Sequence, residues 1–257
     1  MKILTTMAFA ILFTSVTAIA QTVTADEIMN KAKNGDNVRY ENVTVSGIVD
    51  LTPYPEEGRD LPSRKWFSTG DNMIDNTIRG EITFVNVTFE DDFLAYYHDE
   101  RSEYTFVSHF DEAVTFKNCT FLRDAAFKYS EFEEEADFSG STFNRDANFK
   151  YAEYQREANY SNTRFDEEGN FKYAEFKEQA DFSNAVFDED ANFKYAELRD
   201  GVKFTNAEFN GLWNIKYADM DDEVDLSGIQ VNDDVDSKYT KINGRSFERY
   251  LLSNRDR

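Results

Sequence analysis

Large apolar side chains recur along this chain at alternating spacings of five and six residues, which together make a repeat of 22. One stretch shows the spacing through Phe127, Phe132, Phe138, Phe143 and Phe149, and successive repeats begin at Phe127, Phe149, Phe171, Phe193 and Ile215. A small residue stands two positions before each large one, with a polar residue between them. A helix of about 3.6 residues per turn cannot keep such spacings on one face, so the pattern predicts short strands joined by polar corners.

Four such sides make one closed coil of 22 residues. A single coil has no core of its own, so several must stack, with neighbouring backbones about 4.8 Å apart. The repeat therefore predicts an all-β solenoid whose large residues point inward and whose corners are polar.

Four tripeptides carry a resemblance to a known family: Ala136-Asp137-Phe138, Ala147-Asn148-Phe149, Ala180-Asp181-Phe182 and Ala191-Asn192-Phe193. They are similar to the consensus A(D/N)(L/F)XX of the pentapeptide-repeat family, and the likeness runs continuously over residues 106–231. The resemblance implies a right-handed quadrilateral β-helix, although nothing in the spacing shows the hand. Alternate sides with six residues depart from the consensus and are similar to a known variant of the family.

The remaining segments divide the chain as follows. Residues 1–20 have the charged start, apolar run and small residues before a cut after Ala20 that are typical of a secretory signal peptide; a membrane anchor is the alternative. Residues 21–37 are predicted to form a short helix that starts with a capping box at Thr24 and ends at Gly35. A first coil fragment (38–51), a loop insertion (52–77) and the solenoid (78–236, interrupted at 90–104) follow.

Residues 237–257 are predicted to contain a helix that caps the open end of the solenoid, since a sheet edge with unpaired backbone groups promotes aggregation. The alternative is a dimerisation helix, because members of the resembled family often associate through their C-termini. A homodimer through the C-terminus is therefore one of the expected partners.

The formal net charge of -22 excludes most nucleic-acid binders, because such a field repels phosphate. With a single cysteine, the chain forms no intramolecular disulfide. No segment after residue 20 is apolar enough to span a membrane, so we expect a secreted or periplasmic protein with no membrane span after signal cleavage.

No residue pattern predicts catalysis, a metal site or a cofactor. His98 and His109 lack ligands at metal-binding spacing and are interpreted as surface residues. Cys119 occupies a small inward slot and is predicted to be a buried core thiol without a paired base. The loops 52–77 and 90–104 are long enough to hold a hydrolase site, but neither supplies a nucleophile with a base.

Three-residue corners rich in Asp and Glu recur on opposite edges of the coil, for example at 133–135 and 188–190. Stacked carboxylates repel one another, and a calcium ion would relieve that repulsion. The spacing matches no calcium-binding loop, however, and solvation with salt screening is sufficient.

A second outward column holds one Lys-Tyr pair per coil. We call it the Lys-Tyr stripe; its residues are Tyr129, Tyr151, Tyr173, Tyr195, Tyr217, Lys150, Lys172 and Lys194, with Lys128, Lys216, Lys238 and Tyr239 in the same register. An acidic column runs alongside and is expected to neutralise the lysines; it consists of Glu131, Glu153, Glu175, Glu197 and Asp219. The stripe is interpreted either as cross-coil stacking that stabilises the solenoid or as a flat aromatic surface for a protein or glycan partner.

These features favour a non-enzymatic scaffold outside the cytoplasm, with a structural or protein-interaction role. The alternative comes from the resemblance alone, because some pentapeptide-repeat proteins mimic DNA with an acidic surface and inhibit DNA gyrase. The export signal disfavours that alternative, since gyrase is cytoplasmic.

Overall fold

The protein is described by a computed structural model over residues 21–54 and 72–254, and its main body is a right-handed quadrilateral β-helix. Most sides of the coils carry strands of only two residues, because the chain turns a corner after every small-polar-large unit. Successive coils pair in parallel and in register, for example Thr142 with Arg164 and Ala147 with Gly169. These partners lie one repeat apart, so the predicted fold class is confirmed.

The chain passes through four faces in the order 1, 2, 3, 4 during each coil. In the described residues, face 1 consists of Gln21–Thr24, Val43–Ser46, Thr88–Phe89, Thr120–Phe121, Thr142–Phe143, Arg164–Phe165, Val186–Phe187, Glu208–Phe209 and Gln230–Val231. Face 2 consists of Val49–Asp50, Phe93–Leu94, Ala125–Ala126, Ala147–Asn148, Gly169–Asn170, Ala191–Asn192, Trp213–Asn214 and Val235–Asp236.

Face 3 begins with Met73–Ile78 and with Tyr104–Phe110, against which Tyr96–Asp99 pairs antiparallel. It continues through Glu131–Phe132, Glu153–Tyr154, Glu175–Phe176, Glu197–Leu198, Asp219–Met220, Lys241–Ile242 and Arg245–Ser246. Face 4 consists of Val38–Glu41, Ile82–Val85, Val114–Lys117, Ala136–Asp137, Ala158–Asn159, Ala180–Asp181, Val202–Lys203 and Val224–Asp225.

The core is a set of four aromatic columns, one behind each face. On face 2, the rings of Phe149 and Phe171 are 5.1 Å apart and within 4° of parallel. Rings of different columns meet edge to face, as Phe171 does with Phe182 at 5.2 Å and 84°. Stacked contacts along a column and edge contacts between columns are the two geometries that aromatic quadrupoles favour, so the repeat packs its many Phe rings favourably.

A helix covers the N-terminal end of the core. Helix α1, Ala25–Asn34, buries Ile28 and Ala32, and Gly35 ends it in a left-handed conformation with φ 77°. The predicted capping box is wrong, since the Thr24 side chain makes no cap hydrogen bond. Thr24 is the last residue of the first strand, and the Glu27 carboxylate instead accepts a hydrogen bond from the Tyr40 hydroxyl at 2.7 Å.

A second helix lies at the other end. Helix α2, Phe247–Asn254, packs Phe247 against Trp213 with ring centroids 6.0 Å apart. The Tyr250 hydroxyl donates to the Val224 carbonyl at 2.7 Å, which satisfies an edge carbonyl of face 4. Neither α1 nor α2, the helices of the described residues, is long and apolar enough to cross a membrane.

Some boundaries differ from those expected from the sequence. Residues 73–77 of the expected loop belong to the strand Met73–Ile78, while residues 55–71 lie outside the described residues. Within 90–104, Phe93–Leu94 keeps its place on face 2, and the departure from the coil is the hairpin formed by Tyr96–Asp99. The solenoid also extends past residue 236 to Lys241–Ile242. In each case pairing with a regular neighbouring coil holds an irregular sequence in strand form.

Candidate interaction surface at the Lys-Tyr turns

Each Lys-Tyr pair forms the tight turn between faces 2 and 3. In one such turn, the Ala152 N–H donates to the Phe149 carbonyl at 3.0 Å, and Tyr151 between them has φ 59°. A β-turn with positive φ at its third residue is of type II, and glycine and asparagine adopt that conformation most readily. A tyrosine in that conformation costs about 1–2 kcal/mol.

The same strained conformation recurs in every coil of the stripe. The positive φ angles are 63° at Tyr129, 59° at Tyr151, 61° at Tyr173, 60° at Tyr195, 61° at Tyr217 and 66° at Tyr239. The turn between faces 4 and 1, at the diagonally opposite corner, uses the residues expected for this conformation: Asn118, Gly140, Asn162, Asn184, Asn206 and Gly228. The chain therefore contains the same turn in a strained Tyr form and an unstrained Asn or Gly form.

The six tyrosines with positive φ form a continuous stack, which we call the Tyr ladder. Ring centroids of successive tyrosines from Tyr129 to Tyr217 are 4.7–4.9 Å apart and within 8° of parallel. Tyr217 and Tyr239 are 4.8 Å apart at 22°. The ring faces inside the ladder are covered by other rings, as in the cross-coil stacking interpretation, so the ladder presents ring edges and hydroxyls to solvent rather than the flat aromatic surface of the alternative interpretation.

The lysines of the stripe lie over the same rings. The Nζ atoms of Lys150, Lys172 and Lys194 are 5.0, 5.2 and 5.3 Å from the centroids of the tyrosines that follow them. An ammonium at this distance is attracted by the ring quadrupole, at about 0.5–1 kcal/mol for an exposed site. The stack and its ammonium groups together offset the backbone strain of the turn.

The expected neutralisation of these lysines by the glutamate column is wrong. In the described residues, Lys150, Lys172 and Lys194 form no ion pair, and the glutamates bind the basic residues of the next corner. Glu153 pairs with Lys177 at 3.6 Å, and Glu175 with Arg199 at 2.8 Å. The lysines fold back over their own tyrosines, which takes their ammonium groups away from the glutamates of face 3.

The three-residue corners between faces 1 and 2 and between faces 3 and 4 carry most of the acidic residues. Arginines bridge successive coils there, as Arg156 does with Glu178 at 2.8 Å. Burial, together with the charges of Asp92 and Asp146, raises the pKa of the Asp124 carboxyl. Across residues 21–54 and 72–254, no group of three or more His, Cys, Asp or Glu side chains is arranged to hold a metal ion.

The other candidate residues lie apart from the stripe. His98 is exposed and its Nδ1 lies 3.0 Å from the Thr105 hydroxyl oxygen, while His109 is half-buried and its Nδ1 accepts the Glu131 N–H at 3.2 Å. Cys119 lies in the core as predicted, and burial raises the pKa of its thiol to about 12. A thiol that remains protonated is a poor nucleophile. Residues 1–20 and most of the 52–77 loop lie outside the described residues.

Two features escaped the sequence-based interpretation. The sequence offers one indication of the positive φ in the Tyr ladder. Each Lys-Tyr pair holds the same place in its side of the coil as the Ser-Asn and Ser-Gly turns half a coil away, for example Ser183-Asn184. The second is a buried pair inside the core, where the hydroxyls of Tyr154 and Tyr160 lie 2.6 Å apart. The repeat pattern places Tyr154 and Tyr160 in large inward slots but does not show that they meet.

Comparison with known proteins bears on the repeats alone. A family model described as pentapeptide repeats (9 copies) matches residues 108–153 and 155–197. Comparisons with curated proteins and with solved structures find no match. The matched region contains the central coils and the ladder tyrosines from Tyr129 to Tyr195.

Proposed function

This chain is a member of the pentapeptide-repeat family, and from that premise we propose that it is a non-enzymatic scaffold whose Lys-Tyr stripe binds a protein partner. The observation that carries the proposal is the use of tyrosine at a turn where the same solenoid elsewhere uses asparagine. Asparagine builds this corner without strain, so the fold alone does not require the tyrosines. Their half-exposed rings supply the amphipathic area typical of protein interfaces.

The charges beside the ladder also support a protein partner. Lys150, Lys172 and Lys194 form no ion pair within the described residues, so they can pair with acidic side chains of a partner without breaking an internal ion pair. The ring faces are occupied by stacking, which disfavours a glycan, because sugars bind aromatic residues through the ring face.

The test is a pull-down from the native envelope with two matched variants. The first carries Tyr151→Asn, Tyr173→Asn and Tyr195→Asn; the second carries Asn162→Gly, Asn184→Gly and Asn206→Gly at the opposite corner. Both changes are compatible with positive φ, since Gly140 and Gly228 already occupy the second column. We expect the first variant to lose the captured protein and the second to keep it at equal thermal stability. Equal capture by both variants contradicts the proposal.

We further propose that the protein is secreted or periplasmic, with cleavage after Ala20. Gln21 is the first residue of a strand that pairs with Val43, so this cut leaves the first strand of face 1 intact. N-terminal sequencing of the protein recovered from the envelope or medium tests the proposal. A sequence that starts at Met1, or recovery from the cytoplasm, would refute it.

We also propose that the C-terminal end forms a homodimer contact. Leu251 and Leu252 of α2 are 41% and 64% exposed beside Phe247, and together they form an apolar patch at this end of the solenoid that a second copy could cover. Sedimentation of the wild type and of Leu251→Glu/Leu252→Glu is the measurement. A monomeric wild type rules the contact out.

Inhibition of DNA gyrase remains the second candidate, and the rows of carboxylates along two opposite corners support it. A supercoiling assay with the protein starting at Gln21 decides the point. Inhibition that is lost when the corner carboxylates are changed to amides favours DNA mimicry over the scaffold.

A further inference from the structure

We propose that the Tyr ladder is a site of oxidative cross-linking, at which a peroxide-dependent oxidant joins tyrosines of successive coils as dityrosine. The proposal concerns the chemistry of the ladder itself and does not depend on a binding partner. It follows from the proximity of the rings, from their access to solvent and from the contrast with the buried tyrosine pair.

Proximity comes from the coil spacing. Tyr173 and Tyr195 have ring centroids 4.7 Å apart with an interplanar angle of 0°, and Tyr151 and Tyr173 are also 4.7 Å apart at 2°. Because successive rings are nearly parallel and repeat from coil to coil, the ring carbons beside the hydroxyls of neighbouring tyrosines are brought close to one another. Parallel pairing of the flanking strands holds this register, as it pairs Glu153 with Glu175 and Asn170 with Asn192.

Access distinguishes the ladder from the core. Tyr173, Tyr217 and Tyr239 are 37%, 40% and 60% exposed, and Tyr195 is partly exposed. Within the described residues, the hydroxyls of Tyr151, Tyr173, Tyr195 and Tyr217 make no hydrogen bond, so an oxidant reaches them in water. Exposed side chains on a turn move on the picosecond to nanosecond scale, which allows two rings to tilt into bonding contact.

The step balances with hydrogen peroxide as the oxidant and a peroxidase as its activator. Each of two neighbouring phenols loses one electron and one proton, and the two radicals form a carbon–carbon bond between ring positions beside the hydroxyls. The hydrogens on those carbons then move to the oxygens and restore both phenols, while the peroxide becomes two waters. Held neighbours react far faster than free ones, because no encounter is required.

Tyr154 and Tyr160 serve as an internal contrast. Their rings are 6.3 Å apart at 83°, both side chains are fully buried, and their hydroxyls are hydrogen-bonded to each other. Of these two groups of tyrosines, only the Tyr ladder combines close rings with solvent access and a parallel arrangement.

The experiment treats dilute protein with peroxidase and hydrogen peroxide, and measures dityrosine fluorescence and the masses of proteolytic fragments. Two variants each lose three ladder tyrosines. The alternating variant carries Tyr151→Asn, Tyr195→Asn and Tyr239→Asn and keeps no adjacent pair. The block variant carries Tyr195→Asn, Tyr217→Asn and Tyr239→Asn and keeps Tyr129, Tyr151 and Tyr173 adjacent.

In the wild type and the block variant, we expect fluorescence together with fragments joined through tyrosines 22 residues apart, each lighter by two hydrogens. In the alternating variant, we expect loss of both signals. The same positions changed to Phe keep the ring stack but remove the phenol, and give the same loss, which separates chemistry from any folding defect. Equal dityrosine in both Asn variants, bonds only between molecules, or bonds between other tyrosines would overturn the proposal.

Discussion

Replacing one member of the buried Tyr154–Tyr160 pair tests how this core accepts a polar group. Both side chains are fully buried and their hydroxyls are 2.6 Å apart, each being the only partner found for the other in the described residues. Tyr160→Phe removes one hydroxyl and leaves that of Tyr154 buried without a hydrogen bond. The cost of a stranded buried hydroxyl is about 1–3 kcal/mol of unfolding free energy.

The columns around the pair show that phenylalanine fits at both positions. Tyr154 stacks between Phe132 and Phe176 at 4.9 and 4.5 Å. Tyr160 stacks between Phe138 and Phe182 at 4.9 and 5.0 Å. The double change to Phe therefore removes both polar atoms without creating a cavity, and we expect its stability to be within about 0.5 kcal/mol of the wild type or above it. The coupling energy between the two substitutions should then be about 1–3 kcal/mol for each buried hydroxyl that a single variant leaves without a hydrogen bond and the double variant does not.

Equilibrium unfolding in guanidinium chloride of the wild type, both single variants and the double variant measures this cycle through midpoints and slopes. Tyr173→Phe is the matched control, since it removes a hydroxyl that is exposed and makes no hydrogen bond in the described residues. A double variant that loses as much stability as the two single variants added together would show no coupling between the two hydroxyls and would refute this reasoning.

Three further predictions concern single positions. Because burial raises the pKa of the Cys119 thiol to about 12, from the ordinary value of 9.0, we expect no reaction with a disulfide reagent at pH 8 until the protein unfolds. Because the pKa is raised in the folded protein, burial of the neutral Cys119 thiol contributes its full stabilisation below pH 9, and this contribution is lost as the pH rises towards 12. The melting temperature measured as a function of pH tests this. Asn184→Tyr places an unstacked tyrosine at φ 57° and should destabilise by about 1–2 kcal/mol, whereas Tyr173→Asn should change stability less, because relief of strain offsets the lost stacking. Ser130→Ala should be neutral or stabilising in denaturant unfolding, since its buried hydroxyl has no partner in the described residues, whereas Ser141→Ala should cost about 1–3 kcal/mol, because that hydroxyl bonds two backbone groups.

Regular parts of the fold follow from the sequence because each coil repeats the same local choice. The five-and-six spacing places one large residue behind each face, and the next coil repeats it after 22 residues. The buried position of Cys119 followed from the same register. Where the spacing is irregular, as in 90–104, local pattern failed and pairing with neighbouring coils decided the structure.

The partners of the surface side chains did not follow from the sequence. Lys172 and Glu175 are close in the chain and looked like partners, yet Glu175 pairs with Arg199 in the next coil. Contacts across coils join residues about one repeat apart, with an offset that depends on the direction of each side chain along the solenoid. Sequence spacing alone does not give that direction.

The sequence by itself determined that this chain is a four-sided solenoid with a Phe-rich core and a Lys-Tyr pair in each coil, because a strict repeat leaves one arrangement that buries every large residue. Only the tertiary structure decided what the Lys-Tyr pairs are. It showed tyrosines held at positive φ, stacked face against face and approached by lysines. Tyrosine rarely adopts that conformation, and the contacts between coils that compensate for it exist only in the folded chain.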